Sequence, residues 1–374
     1  MPEINPLIKW PGGKNSEIKY IKRFIPAQYD RYIEPFFGGG AMFFYLQPQR
    51  ALINDIAINL MDFYSLIKAQ NKEFFLYLNA YGNLINELIK STEKYYNDIL
   101  ALYYNIKNVF LKNDEIYFKV SEIVELVYSR INKKFIDLIV LDNELYKIHL
   151  IKSVIDKIHR IIKNEEKRSF DDIDLRENLI TGFTSGNYMY FREVYNDILL
   201  NRNQRTSKAY NSANFYYIRE YCYGSMFRYN NYGEFNIPYG GVTYNRKNFI
   251  SKINAITSIN VKEIFEKTDI YCMDFEEFLY NINLNEKDFL FLDPPYDTEF
   301  SEYNGKVFNQ KDQARLAEFL KQTKAKFILI IKNTDYIYSL YKKNFKIFYF
   351  NKTYTYNVKS RNERKVKHLI ITNI

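Results

Sequence analysis

The chain has 374 residues, enough for one large domain or two modest ones with an ample core. Lys and Arg number 53 against 44 Asp and Glu, a net charge of +9 that favours a polyanionic partner such as nucleic acid and fits a merely basic surface equally well. The 2 Cys (Cys222, Cys272) and 3 His (His149, His159, His368) show no ligand spacing, and neither an 18-residue apolar run nor a signal-peptide core is present, so disulfide framework, metal site and membrane span all drop out and a cytoplasmic protein is expected.

In chain order, "KWPGGK" (Lys9 to Lys14) comes first and holds the only Trp. It offers a ring for stacking, a tight Gly-Gly turn and a cation, or simply an ordered N-terminal turn. "RYIEPFFGGGAMFFYL" and "RALINDIAINLMDFYSLIKAQ" each read as a short apolar strand, a turn and a helix. The middle has no Pro between Pro48 and Pro238 and no Gly from Asn83 to Thr181, and its apolar residues recur at helical spacing. It is expected to be a helical insertion. "TDIYCMDFEEFLY", "DFLFLDPPY", "AKFILIIKNT", "FKIFYFNKTYTY" and "KVKHLIITNI" then return to strand-like runs. Strands alternating with helices predict a doubly wound α/β sheet, and the last two runs, with no helix between them, predict an antiparallel edge. The expected organisation is a first α/β part at 1–64, a mainly helical insertion at 65–241 and a second α/β part at 242–374. Tyr and Phe number 36 and 30 while Gly and Pro number 13 and 9, as in an AT-rich coding sequence, so most of the aromatics are expected in the core.

Four stretches carry chemistry. In "EPFFGGG" (Glu34 to Gly40) the glycines let the backbone approach a ligand between a strand and a helix, or simply make a tight turn. Asp55, in "LINDIA", can accept from both hydroxyls of a ribose, or can cap the helix beginning near Ile56. Asp274 and Phe275, in "YCMDFEEF", suit adenine: a carboxylate for the exocyclic amine and a ring for the base face; a helix cap is the alternative. "DPPY" is the most specific. The lone pair of an amino nitrogen conjugated to a ring is delocalised and poorly nucleophilic. The Asp293 carboxylate and the Pro294 carbonyl, accepting its two hydrogens, favour a pyramidal nitrogen, and Tyr296 can stack on the base.

Together these residues resemble the Dam-like (alpha group) DNA adenine-N6 methyltransferases, with motif order "KWPGGK", "EPFFGGG", "NDIAINL", insertion, "DFEEF", "DPPY". "MFRYNNYGEFNIPYGG" (Met226 to Gly241) is similar to the family's DNA-contacting segment, and "SRNERKVKHLIITN" to its C-terminal strand signature. The resemblance spans the α/β part and the end of the insertion; it leaves out roughly Tyr81 to Arg168. It implies a Rossmann-like methyltransferase sheet with an inserted target-recognition domain, S-adenosyl-L-methionine as cofactor, S-adenosyl-L-homocysteine as product, and no metal. Trp10, Lys14, Glu34, Phe36, Gly38, Gly40, Asp55, Asp274, Phe275 and Asp293 would form the cofactor site, with Asp293, Pro294 and Tyr296 catalytic. Lys9, Tyr223, Arg228 and Asn230 would contact double-stranded DNA. Arg228 suits either a guanine edge or a phosphate, and Tyr223 either a wedge in the base stack or packing at a domain junction. A monomer is expected, with a cognate restriction endonuclease as a candidate partner. The rivals are methylation of another nucleic-acid amine, such as cytosine N4 or a ribosomal RNA guanine, and a DNA-binding protein on a degenerate methyltransferase fold.

Overall fold

Short apolar runs become strands β1 (Arg31–Glu34), β2 (Ala51–Asn54), β3 (Thr268–Tyr271), β4 (Asp288–Leu292), β7 (Lys326–Lys332), β8 (Lys346–Thr353) and β9 (Lys365–Thr372), and two-residue strands β5 (Glu302–Tyr303) and β6 (Lys306–Val307) pair separately. The computed structural model describes residues 3–202, 205–296, 302–303, 306–353 and 365–374; residues 360–364 of the "SRNERKVKHLIITN" run lie outside them. The chain divides into two compact units, one of Met1–Ala69 with Ser258–Ile374 and the other of Gln70–Thr257.

The first unit carries a seven-stranded sheet in the order β3-β2-β1-β4-β7-β9-β8. Its first five strands run parallel, and β9 lies antiparallel to both β7 and β8. This is the doubly wound sheet with an antiparallel edge that the strand–helix alternation predicts. The edge differs in one respect from a simple terminal hairpin: β9 is interior and β8 is outermost. Every residue of β4 is buried, as are the central residues of β7, which fits strands covered on both faces. In β1 and β4, Arg31 pairs with Asp288 and Ile33 with Leu290. The Arg31 guanidinium grips the fully buried Asp288 carboxylate in a fork, Nε to Oδ1 at 2.8 Å and Nη2 to Oδ2 at 2.6 Å. That bidentate geometry fixes the register at the amino ends of the two strands.

The second unit is built of helices, the longest being Lys72–Lys94, Asn143–Glu165 and Asp172–Leu199. Its interior is rich in tyrosine; Tyr81, Tyr146, Tyr188, Tyr190 and Tyr217 are all buried. Their hydroxyls find partners, as buried polar groups must. Tyr146 donates to Asn187 Oδ1 at 2.9 Å, the Asn187 amide donates to Tyr217 at 2.6 Å, and Tyr188 donates to the Ile237 carbonyl at 2.9 Å. Helices Asn143–Glu165 and Asp172–Leu199 cross closely at Gly186, where an added Cβ would stand 2.7 Å from Leu150 Cα and 2.8 Å from the His149 carbonyl oxygen.

Gly186→Ala should therefore destabilise the protein by ~1–3 kcal/mol through overpacking against backbone, although Ala is the better helix former by about 1 kcal/mol. Urea unfolding measures this directly, and a variant as stable as wild type would mean that the two helices can separate freely.

Candidate active site

Sequence order reverses across the sheet between β1 and β4, because β1 leads to β2 on one side and β4 to β7 on the other. Open α/β sheets bind ligands beyond the strand ends at such a point. A cavity of about 590 Å³ opens there, within the usual range for small-molecule sites. The fold brings all the catalytic and cofactor candidates to its wall: Trp10, Lys14, Glu34, Phe36, Gly38, Gly40, Asp55, Asp274, Phe275, Asp293, Pro294 and Tyr296. Lys9 is exposed and is not part of that wall.

The loop after β1 turns at Gly38, whose φ of 50° is left-handed. An added Cβ there would also meet the Trp10 ring at 2.9 Å, so glycine serves both the turn and the close approach of the indole. Asp55, just past β2, ties this loop down: Oδ2 accepts from Gly38 N at 2.8 Å and Oδ1 from Ala57 N at 3.0 Å. The following helix, Ile58–Lys68, has Ala57 at its N-cap, so Asp55 is not that helix's cap residue but a clasp between two loops.

Four ionisable groups meet around the cavity. Lys14 is buried, and its Nζ donates to Asp293 Oδ2 at 2.6 Å, to the Gly12 carbonyl at 2.8 Å and to the Tyr296 hydroxyl at 3.3 Å. Burial pushes the Asp293 carboxyl up, against the pull of the Lys14 ammonium. Burial also holds the Glu34 carboxyl well above the usual carboxylate range, although the Tyr32 hydroxyl donates to it at 2.7 Å; the Asp293 and Asp55 charges add to that rise. Asp55 is likewise raised by burial, opposed by the backbone amides it binds. Three carboxyl groups thus line a cavity whose one buried ammonium is bonded to Asp293 alone, an arrangement that favours a cationic ligand. Among the described residues, no group of three His, Cys, Asp or Glu side chains could hold a metal ion.

At the other end, Asp274 caps helix Phe275–Asn281 by accepting from Glu276 N at 3.0 Å, and it also lines the cavity. Phe275 stands in an aromatic group with Phe36 and Phe308, ring centroids 5.3–5.6 Å apart.

Three residues beside this site were not among the sequence candidates. Gln313 is buried on helix Gln310–Gln322 and donates from Nε2 to the Pro295 carbonyl at 2.9 Å, bracing the "DPPY" turn. Arg315, on the same helix, binds Asp274, Glu276 and Asp312. His368 on β9 packs edge-on to the Tyr296 ring at 5.4 Å; burial pushes its imidazole down to about 3, so it stays neutral. The only sequence signal for the first two was the Asn309 capping box that opens their helix.

The other candidates lie in the second unit, in an irregular hairpin with isolated bridges Cys222–Tyr239 and Tyr229–Phe235. Tyr223 and Arg228 are exposed, and Arg228 Nε donates to Asn236 Oδ1 at 2.7 Å. Asn230 is half-buried and shapes the turn: its Oδ1 accepts from Tyr232 N and Glu234 N, and its amide donates to the Glu234 carboxylate. Arg219 underpins the hairpin, fully buried, with Nη1 donating to the Met226 carbonyl at 2.7 Å and its guanidinium 3.7 Å from the Phe227 ring centroid.

A family model described as D12 class N6 adenine-specific DNA methyltransferase matches residues 10–138 and 124–356. The type II methyltransferase M.CviBI of Paramecium bursaria Chlorella virus NC1A is 25% identical over 99% of this chain and 100% of its own length. The type II methyltransferase M.MjaIII of Methanocaldococcus jannaschii is 25% identical over 91% of this chain and 89% of its own. The retron Ec67 DNA adenine methylase of Escherichia coli reaches 34% identity over 34% of this chain and 43% of its own.

Asp55→Ala leaves two backbone N–H groups without their acceptor and should cost about 1–3 kcal/mol of stability. Asp55→Asn, which keeps one acceptor oxygen, should lose less. Equal urea midpoints for wild type and Asp55→Ala would show that the clasp contributes nothing to the fold.

Proposed function

The chain belongs to the D12 class of N6 adenine-specific DNA methyltransferases, and from that premise we propose that it takes its methyl group from S-adenosyl-L-methionine and acts on an adenine swung out of duplex DNA, as the modification enzyme of a restriction–modification system. The observation that carries this reading is the convergence, at one point of the sheet, of the "DPPY" acid and a buried, mainly acidic pocket. When bound, the cofactor supplies an electrophilic methyl group on a sulfonium. The pocket suits such a ligand: Glu34, Asp55 and Asp293 against Lys14 favour positive charge, and Gly38 keeps the Trp10 side of the cradle open.

The residues divide the work. Glu34 and the Gly38–Gly40 backbone face the aminoacyl end, and Asp55 offers its remaining lone pairs to the ribose. Asp274 and Phe275 meet the adenine, with Phe36 behind Phe275. At the reacting end, the target nitrogen cannot reach the methyl group from within a stacked pair, so the base must leave the helix. Its two N6 hydrogens are accepted by Asp293 and the Pro294 carbonyl, while Tyr296 stacks on the ring. Lys14 holds Asp293 by Oδ2 and leaves Oδ1 for the amine. Gln313 keeps the turn in place through the Pro295 carbonyl. Catalysis is then orientation plus preorganised hydrogen bonding at a nucleophile whose lone pair is exposed. On the DNA side, Tyr223 and Arg228 are exposed on the 222–240 hairpin and reach bases or phosphates, with Asn230 shaping the turn and Lys9 adding a surface cation. The modification role is supported by the type II names of the relatives that match nearly the whole chain. Sequencing the methylated adenines in DNA from a methylation-deficient host expressing the chain tests the function as a whole; unmodified adenine throughout would overturn it.

Asp293→Asn keeps the volume and an acceptor for Lys14 but exchanges one carboxylate oxygen for an amide donor. At saturating cofactor, transfer of labelled methyl to DNA should fall on the order of 10²–10³-fold, beyond any loss of cofactor affinity that removing one carboxylate from the pocket brings. Turnover close to wild type would remove Asp293 from the chemistry.

A pH dependence follows from Glu34. Its carboxyl is raised by burial, so above the usual carboxylate range it still holds a proton in the ligand-free enzyme. A cation favours the ionised form. Binding of S-adenosyl-L-methionine should therefore release protons, and affinity should rise with pH until Glu34 is ionised. Calorimetry in buffers of different ionisation enthalpy reads the release, which Glu34→Gln should reduce to what Asp55 and Asp293 contribute. Proton uptake by the wild type would contradict the assignment.

A further inference from the structure

Arg315 gathers three carboxylates at the cavity's adenine end. Its Nη2 donates to Asp274 Oδ1 at 2.7 Å and to Glu276 Oε2 at 2.7 Å, Nε donates to the same Glu276 oxygen at 2.9 Å, and Nη1 donates to Asp312 Oδ1 at 2.9 Å. The guanidinium also lies 4.9 Å from the Phe275 ring centroid. Arg315 thus braces both halves of the "DF" pair from behind, and Asp274, Phe275 and Asp312 all line the cavity.

The bonding at Asp274 is one-sided. Oδ1 takes both the Arg315 Nη2 bond and the cap bond from Glu276 N, at 2.7 and 3.0 Å. A carboxylate pinned twice through one oxygen cannot rotate about its Cβ–Cγ bond without breaking both contacts. Its second oxygen is then held as a pure acceptor of fixed direction, the group that recognises an amine and repels a carbonyl. A lone helix cap would leave it free to turn away.

We propose that Arg315 is a positioning residue that sets the base selectivity of the cofactor site, making it prefer a 6-amino purine over a 6-oxo purine by locking the Asp274 carboxylate. The proposal rests on the reading of this cavity as the S-adenosyl-L-methionine site. Arg315 need not touch the ligand.

The test is calorimetric titration of the full-length protein with S-adenosyl-L-homocysteine and with its 6-oxo counterpart, S-inosyl-L-homocysteine. Wild type should prefer the amino form by at least ~100-fold, because a site built around a hydrogen-bonding group rejects a ligand that leaves it unpaired. Arg315→Gln should lose about tenfold in affinity for the amino ligand and little for the oxo ligand, so the ratio collapses. Arg315→Lys, which keeps the charge but not the fork, should fall between. Asp274→Asn should collapse the ratio too, and adding Arg315→Gln to it should change nothing further. An equal loss for both ligands, or an unchanged ratio in Arg315→Gln and Arg315→Lys, would overturn the proposal and leave Arg315 as a structural brace. Failure of wild type to bind either ligand would instead overturn the assignment of the cavity on which it depends.

Discussion

Everything at the site depends on the parallel pairing of β1 with β4. The two strands are remote in sequence, yet Arg31 and Asp288 stand opposite each other at their amino ends and bond through a fork. The pairing brings Glu34, the last residue of β1, and Asp293, the first residue past β4, to the carboxyl ends of neighbouring strands, on the wall of the cavity. A register slip of one residue would turn every side chain of the moving strand to the opposite face. The Arg31–Asp288 pair, half-buried on the arginine side and fully buried on the aspartate side, is costly to desolvate and contributes modest net stability, but it makes the slipped registers worse still. It gives the centre of the sheet a single alignment, and that alignment is what the proposed chemistry needs.

Charge at the carboxyl ends is handled differently. At the amino ends one cation meets one carboxylate with matched geometry. In the cavity, Lys14 is matched to Asp293, while Glu34 is left to a tyrosine hydroxyl and Asp55 to backbone amides. Burial without a full counter-ion raises the carboxyl groups and stores unfavourable free energy that a cationic ligand relieves.

Much of this was legible in the sequence, for identifiable reasons. The parallel sheet announced itself in continuous apolar runs such as "DFLFL" and "KFILII", and the antiparallel edge in two strand-like runs with no helix between them. The cavity residues were legible because their chemistry is tied to short motifs at strand ends, and strand ends converge at a switch point whatever the rest of the chain does. Gln313, Arg315 and His368 were not legible. Each acts on another residue, across a fold that must already exist, and a Gln or an Arg inside an ordinary amphipathic helix carries no local mark of that. The interior place of β9 was hidden for a similar reason: order within a sheet is set by non-local pairing, which alternation cannot reveal. Asn230 shows the converse. It stood in a polar run fit for DNA contact, and its side chain spends its hydrogen bonds on its own turn.

The interior position of β9 has a consequence for how the protein is made. During synthesis β1 and β2 leave the ribosome first, then all of residues 70–257, then β3 and β4. The helical unit is continuous and has its complete sequence available while the sheet is still a two-strand fragment. The sheet stays unfinished until residues 365–372 emerge, because without them β7 and β8 have no common neighbour. At about 5–20 residues per second, the apolar strands β1 and β2 must wait on the order of tens of seconds for their last partners. Vectorial synthesis therefore exposes the sheet-bearing half of the molecule far longer than the helical half, and that delay is where chaperone demand and aggregation of the nascent chain should concentrate.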